Sequence, residues 1–448
     1  MQKLLLTIAF VLTTHVSQAQ STQQVMNDLT AMQVAEQMAP GWNLGNTLEA
    51  GNNAYNYKNS GIGTETSWQP TKTSQAVIDY VKSLGFRSIR IPCAWVMGHI
   101  SNASNYTIDS RWMERVKEVV DYCINAGLYV ILNDHWDGGW LENNIASNDA
   151  SQKAKNHEVL KSIWTQIAET FKDYDEHLLF AGLNEPNADN QAATDNLLAY
   201  EQTFIDAVRA TGGNNARRIL VVQGPNTDID MTNNYYKKLP NDIVENKLMM
   251  EVHYYTPWQF CGMTKDESWG KYMLYWGNEN RVSGSQRNYA NGEAEMERQL
   301  KKMKTKFIDK GIPVIIGEYG VNWKTVSGAN ESQEKHDASV KLYFKMFNKY
   351  TMQMGMVPYV WDINYTGHPT MTIINRKNCS IYANCMMDGI REAMDETQVE
   401  TFNTSQEKAD GTIYDISGRT ILRNATTTDL SQLNKGIYIL NGKKHIVE

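Results

Sequence analysis

The stretch that decides the fold is Leu178–Pro186, "LLFAGLNEP". An apolar run suited to a buried strand stops abruptly at Asn184-Glu185-Pro186. Pro186 has no backbone donor and biases Glu185 away from helix, so the strand exits there. A core strand therefore delivers a carboxylate at its last residue. One explanation is ordinary, a turn in which Glu185 caps the next element. The other is that a carboxyl is wanted at that end of the strand.

Seven further runs share this character: "GWNLGN" (41–46), "SIRIP" (88–92), "YVILND" (129–134), "RILVVQGP" (218–225), "LMMEVHYY" (248–255), "IPVIIGEYG" (312–320) and "MVPYVWD" (356–362). Between them lie amphipathic stretches such as "SQAVIDYVKSLG" and "RWMERVKEVVDYCINAG", with apolar residues at helical spacing and a terminal Gly as stop signal. Continuous apolar strands separated by helices mark a parallel sheet covered on both faces. Eight such units over residues 41–396 predict an α/β fold, the (β/α)₈ TIM barrel. A doubly wound open sheet is the alternative, but no G-x-G-x-x-G follows any strand. "VMNDLTAMQVAEQM" before the first strand reads as a helix closing the barrel's bottom.

Residues 1–20 carry Lys3, the apolar run Leu4–Leu12 and a small-residue end, the pattern of a secretory signal peptide. The barrel is expected over 21–396. Residues 397–448 change character, with short alternating strands in "GTIYDISGRTI" and "NKGIYILNGKKHIVE", and predict a small all-β appendage. No other segment approaches the roughly 20 apolar residues of a membrane span. A formal charge of −7 without basic runs argues against nucleic-acid partners. The five cysteines show no C-x₂-C pairing, and a bridge between Cys379 and Cys385 is left open.

In a barrel of this kind residues distant in sequence converge at the C-terminal strand ends. Those ends carry Asn46, Arg90, His135, Asn184 with Glu185, His253 with Tyr255, Glu318 and Trp361. Singly, each has a plain reading: Arg90 as a buried ion-pair partner, His135 and His253 as bonded core imidazoles, Trp361 as core. Glu318, after an apolar run and a glycine, resists such a reading, because a buried carboxylate without a partner is costly. Two opposed glutamates suit glycoside hydrolysis. One carboxyl must be protonated to assist the leaving oxygen and the other ionised to attack the anomeric carbon. A cation and a phenol, Arg90 and Tyr255, suit a charged Glu318, while apolar burial would keep Glu185 protonated. Asn184 offers an amide to a sugar hydroxyl, and Trp361 a flat face to a pyranose ring.

Together these residues resemble glycoside hydrolase family 5, retaining β-glycanases on the (β/α)₈ fold. "GWNLGNTLEA" is similar to the opening of its subfamily 4, where Glu49 stands in place of the usual Asp. "RIP" (Arg90), "LNDH" (His135), "LNEP", "HYY" (His253, Tyr255), "GEYG" and "WD" follow in the family's order. The resemblance implies Glu185 as acid/base, Glu318 as nucleophile, Arg90 and Tyr255 as supports of Glu318, and His135 and His253 as the polar floor. It places Asn184 on the 2-hydroxyl and Trp361 as a stacking platform at subsite −1. It implies no cofactor and no metal. The tail resembles the C-terminal sorting domains of the type IX secretion pathway, which implies an exported, surface or extracellular enzyme, with secretion machinery as a partner. A small β fragment without a transport role is the alternative.

The subfamily's substrates imply endo-cleavage of β-1,4-glucans: cellulose, mixed-linkage glucan or xyloglucan. Trp136 and Trp140, with Trp258 of the aromatic-rich 256–276 loop, are candidate glycan contacts, unless that loop packs on itself. An endo-β-mannanase of the same family stays open, since single contacts decide backbone preference. So does a non-catalytic glycan-binding barrel. A metallohydrolase would want clustered His and Asp, and no H-E-x-x-H spacing occurs.

Overall fold

The computed structural model describes residues 26–51, 61–407, 412–415, 419–422, 430, 433–440 and 443–447. The expected leader, residues 1–20, lies outside them. Eight parallel strands close into a barrel: β1 (Gly41–Asn43), β2 (Ser88–Ile91), β3 (Tyr129–Asn133), β4 (Leu178–Ala181), β5 (Leu220–Gln223), β6 (Leu248–Tyr254), β7 (Val314–Tyr319) and β8 (Val357–Val360). Each falls in one of the eight runs, and β1 pairs with both β2 and β8 to complete the circle. The crossovers carry α2 (Gln75–Ser83), α3 (Ser110–Asn125), α4 (Ala150–Phe171), α5 (Gln191–Ala210), α6 (Ile229–Tyr235), α7 (Gly292–Lys306) and α8 (Gln333–Gln353); α1 (Ala31–Met38) precedes β1 and α9 (Asn384–Glu407) follows β8. Side-chain caps start several of them: Asp109 on α3, Asp149 on α4, Asn190 on α5, Asp228 on α6 and Ser332 on α8.

Strand residues alternate between two environments, as the pleat requires. Ile89, Ile91, Val130, Leu132, Phe180, Val222, Val252 and Ile316 point outward into the layer shared with the helices. Tyr129, Ile131, Leu179, Ala181, Val221, Met249, Ile315 and Tyr359 point inward and fill the barrel's lower half. Val34, Ala35 and Met38 of α1 pack into that inner cluster, so α1 plugs the bottom. Thr30 starts α1 later than expected, through a reciprocal capping box with Gln33. Fully burying each large apolar side chain contributes about 1.5–3 kcal/mol.

Higher up, the inward positions turn polar: Asn43, Arg90, Asn133, Gln223 and Glu251, all completely buried. Register slips between β6 and β7 at Gly317, where a bulge lets Glu318 pair with His253.

The expected appendage contains a separate antiparallel sheet, with β9 (Ile413–Asp415), β10 (Thr420–Leu422), β11 (Gly436–Leu440) and β12 (Lys443–Val447) in the order β10-β9-β11-β12. α9 runs through the boundary expected at 396–397, with no break there. No helix of the described residues is long and apolar enough to cross a membrane. Cys379 and Cys385 are each unpaired.

Candidate active site

The strand exits bring Arg90, His135, Asn184, Glu185, His253, Tyr255, Glu318 and Trp361 around one cleft. Arg90, fully buried, is its hub. Its Nη1 donates to Glu318 Oε1 at 3.1 Å and to Asn43 Oδ1 at 3.1 Å, and Nη2 donates to Asn184 Oδ1 at 2.8 Å. Its Nε faces Glu251 Oε1 at 2.9 Å. A buried guanidinium needs such partners, and here carboxylates of β6 and β7 supply them.

Glu318 also accepts from the Tyr255 hydroxyl at 3.0 Å. His135 Nε2 and His253 Nδ1 each stand 3.9 Å from one of its oxygens. Glu185 is built differently: its main-chain N–H donates to Glu142 Oε1 at 2.6 Å, and its carboxylate meets His253 Nδ1 at 2.6 Å. One carboxylate oxygen of Glu185 and one of Glu318 lie within 4.8 Å of each other.

Burial pulls the His253 ring down, but Glu318, Glu185 and Glu251 outweigh it and raise the imidazole to about 10. With carboxylates on both nitrogens, the ring presents protons rather than a lone pair. His135, under burial and the nearby Arg90 and His253 charges, is held well below its ordinary value and stays neutral. Burial pushes the Glu318 carboxyl up, against the pull of His253 and Arg90, and the Glu185 charge pushes the same way. Glu185 feels burial too, but His253 and Arg90 prevail and lower it.

That corrects one expectation about environments. The buried carboxyl is Glu318, whose side chain is 8% exposed, whereas the Glu185 side chain is 44% exposed. Apolar burial does not hold the proton on Glu185. An imidazolium faces it instead.

Trp361 lies parallel to the His135 ring, with centroids 5.7 Å apart, and its main-chain N–H donates to Tyr319 O at 2.9 Å. Behind it, buried Asp362 accepts from Trp42 Nε1, from the amides of Asn364, Ile373 and Ile374, and from Arg376. Asn46 has a left-handed backbone, φ 57°, in a turn where Glu49 accepts the amides of Asn46 and Thr47. Burial raises the Glu49 carboxyl to about 7.

Trp136 and Trp140, both half-buried, flank a short turn anchored by Asp137, which accepts the amides of Trp95, Val96 and Met97. Trp258 is 51% exposed and meets Tyr255 edge-on at 6.3 Å. The aromatic loop divides: Phe260, Tyr275 and Trp276 are buried in the fold, whereas Trp258 and Trp269 face solvent.

Sequence reasoning passed over Asn43, Glu142, Gln223 and Glu251. Glu251 carried a usable signal, a charge inside "LMMEVHYY" at the same parity as His253. Glu142 carried none, since it lies in a loop and acts through the Glu185 main chain. Burial raises its carboxyl to about 8.

Residues 50–367 match the family model described as cellulase, glycosyl hydrolase family 5. The chain is 34% identical to endoglucanase A of Paenibacillus barcinonensis, covering 82% of this chain and 91% of that one. Among solved structures, a xyloglucan-specific β-1,4-glucanase from a ruminal metagenomic library, in complex with XXLG, is 45% identical with a TM-score of 0.74, covering 82% of this chain and 96% of that one. A Bacteroides ovatus xyloglucanase in complex with a XXXG heptasaccharide is 34% identical with a TM-score of 0.74, covering 83% of this chain and 78% of that one.

Proposed function

The chain belongs to glycosyl hydrolase family 5, and from that membership we propose a retaining endo-β-1,4-glucanase that cleaves β-1,4-glucan backbones: cellulose, mixed-linkage glucan or xyloglucan. The observation that carries the mechanism is the meeting of Glu185 and Glu318 oxygens within 4.8 Å. Retaining enzymes hold their carboxyls about 5–5.5 Å apart, and inverting ones about 6.5–9.5 Å.

In this reading Glu318 attacks the anomeric carbon while Glu185 protonates the departing glycosidic oxygen. Water then cleaves the glycosyl–Glu318 ester, with Glu185 taking the water's proton. Arg90 and Tyr255 aim the Glu318 oxygens. His135 and His253 line the floor, and Asn184 stands where a 2-hydroxyl would meet it. Trp361 offers the stacking face, with Asn46, Trp136, Trp140 and Trp258 as further sugar contacts.

The two carboxyls titrate as a coupled pair. Between them the proton favours the more buried Glu318. A bound sugar removes water from Glu185, the carboxyl with solvent to lose, and desolvation raises it toward the protonated state that an acid needs.

Export stays part of the proposal, with residues 1–20 as leader and residues 397–448 as a sorting-like appendage. N-terminal sequencing of the protein from culture medium tests the first, expecting a start near residue 20. The activity is tested by reducing-sugar release from barley β-glucan, xyloglucan, carboxymethyl cellulose and mannan, with Glu318→Ala beside the natural chain. Release from a glucan that vanishes in the variant is expected. Release from mannan alone would shift the substrate to a mannan, and binding without release would leave a glycan-binding barrel.

A further inference from the structure

We infer that Glu251 is a positioning residue for this reaction: its buried carboxylate holds the partner of each catalytic carboxyl, Arg90 for Glu318 and His253 for Glu185. The inference rests on the catalytic pair proposed above. Glu251 itself lies beneath the cleft, fully buried. A single oxygen, Oε1, stands 2.9 Å from Arg90 Nε and 3.3 Å from His253 Nε2. Its other oxygen accepts from Gln223 Nε2 at 2.7 Å, and Gln223 in turn accepts the Leu183 amide at 2.9 Å, just before the Asn184-Glu185 exit. One carboxylate thus ties β2, β5, β6 and the end of β4 together under the reacting groups.

The local chain is built around that carboxylate. A Cβ on Gly317 would overlap Glu251 Oε1 and come within 2.9 Å of His253 Nε2. The register slip between β6 and β7 falls at the same glycine, whose carbonyl accepts from Asn43 Nδ2 at 2.8 Å. A glycine and a strand irregularity together make the space in which Glu251 reaches both partners. Neither is needed for a barrel strand as such.

The chemical consequence falls on His253. With Glu185 Oε1 at Nδ1 and Glu251 Oε1 at Nε2, the ring is held in its doubly protonated form. An imidazolium there keeps a donor on Glu185 and a positive charge between the two carboxyls. The charged and titratable groups that face it are His135 after β3, Glu185 after β4, Glu251 from β6 and Glu318 from β7, and these carboxylates are faced in turn by Arg90 from β2, Tyr255 just after β6 and Tyr359 from β8. Of the carboxylates among them, Glu251 is the one that no substrate contact requires.

The test is the ¹⁵N NMR titration of the His253 ring in the natural chain and in Glu251→Gln, together with pH profiles of hydrolysis of barley β-glucan. The natural chain should show an imidazolium through pH 8, titrating near pH 10. In Glu251→Gln the midpoint should fall by about one pH unit or more, since one unit is the scale of a neighbouring charge. kcat should fall about 100-fold with KM within about threefold, and the alkaline limb of kcat/KM should move down with the ring. A neutral His253 ring at pH 7 in the natural chain would overturn the inference. So would a Glu251→Gln chain whose ring midpoint and alkaline limb stay in place. If Glu251→Gln does not fold, the natural chain's titration still decides. The ring titration is independent of turnover, so a chain inactive on every glucan whose His253 midpoint still falls in Glu251→Gln would sink the proposed activity and leave only the hold of Glu251 on the ring.

Discussion

The two halves of the barrel interior are lined by the same eight strands yet obey opposite rules. Below, Ile131, Leu179, Val221, Met249 and Ile315 close over α1 in an apolar layer. Above, Asn43, Arg90, Gln223 and Glu251 are buried just as completely. A buried ion pair such as Arg90–Glu251 gives little net stability, because desolvation cancels most of the attraction. The lower layer therefore supplies the cohesion, and the upper layer uses part of it to hold charges in fixed places under the cleft. Pre-positioned charge of this kind stabilises a transition state without reorganisation when the reaction occurs.

The sharpest way to break that division is at the top. Glu318→Ala should lower turnover on glucan by about 10⁴-fold or more while glycan affinity and thermal stability hold. Retained turnover would remove Glu318 from the nucleophile's place. Glu185→Ala should cost about 10²–10⁴-fold on polysaccharide and much less on an aryl cellobioside with a good leaving group. Equal losses on both substrates would count against its acid role.

The lower layer should behave inversely. Leu179→Ala should destabilise the barrel by about 2–5 kcal/mol in urea unfolding, with kcat within about twofold. A large kcat effect there would blur the two halves. The last test concerns Glu142, whose folded carboxyl titrates at about 8 against an ordinary value of 4.5. Ionisation of the unfolded chain then draws stability from the natural protein as pH rises from 4.5 to about 8. Glu142→Gln lacks that loss, so its melting temperature should gain on the natural chain across this window and show no such gain below it.

The same division explains what the sequence made legible. All eight strands stood out because a parallel strand buried on both faces is apolar along its length. The polar residues at their exits stood out against that background. Asn43 and Gln223 did not, and the charge of Glu251 marked the position without its role, because a polar residue inside an apolar run gives no hint of which neighbouring strand will partner it. Their meaning comes from closure, which sets β1 beside β8 and Arg90 across from Glu251. The bulge at Gly317 is equally silent in one dimension, since a glycine before Glu318 reads as a turn residue until the register of β6 is known. Similarly, polarity sets the start of the appendage within "ETQVETFNTSQEKAD", 396–410, whereas α9 runs on as helix to Glu407.

Trapping the glycosyl-enzyme tests the central claim most directly. Incubation with a 2-deoxy-2-fluoro-cellobioside carrying a good leaving group, followed by proteolysis and peptide mass analysis, locates the covalent bond. The account predicts a single added fluoro-cellobiosyl mass on the peptide containing Glu318, with activity lost in proportion. Label on Glu185, or undiminished turnover with no label at all, would contradict it.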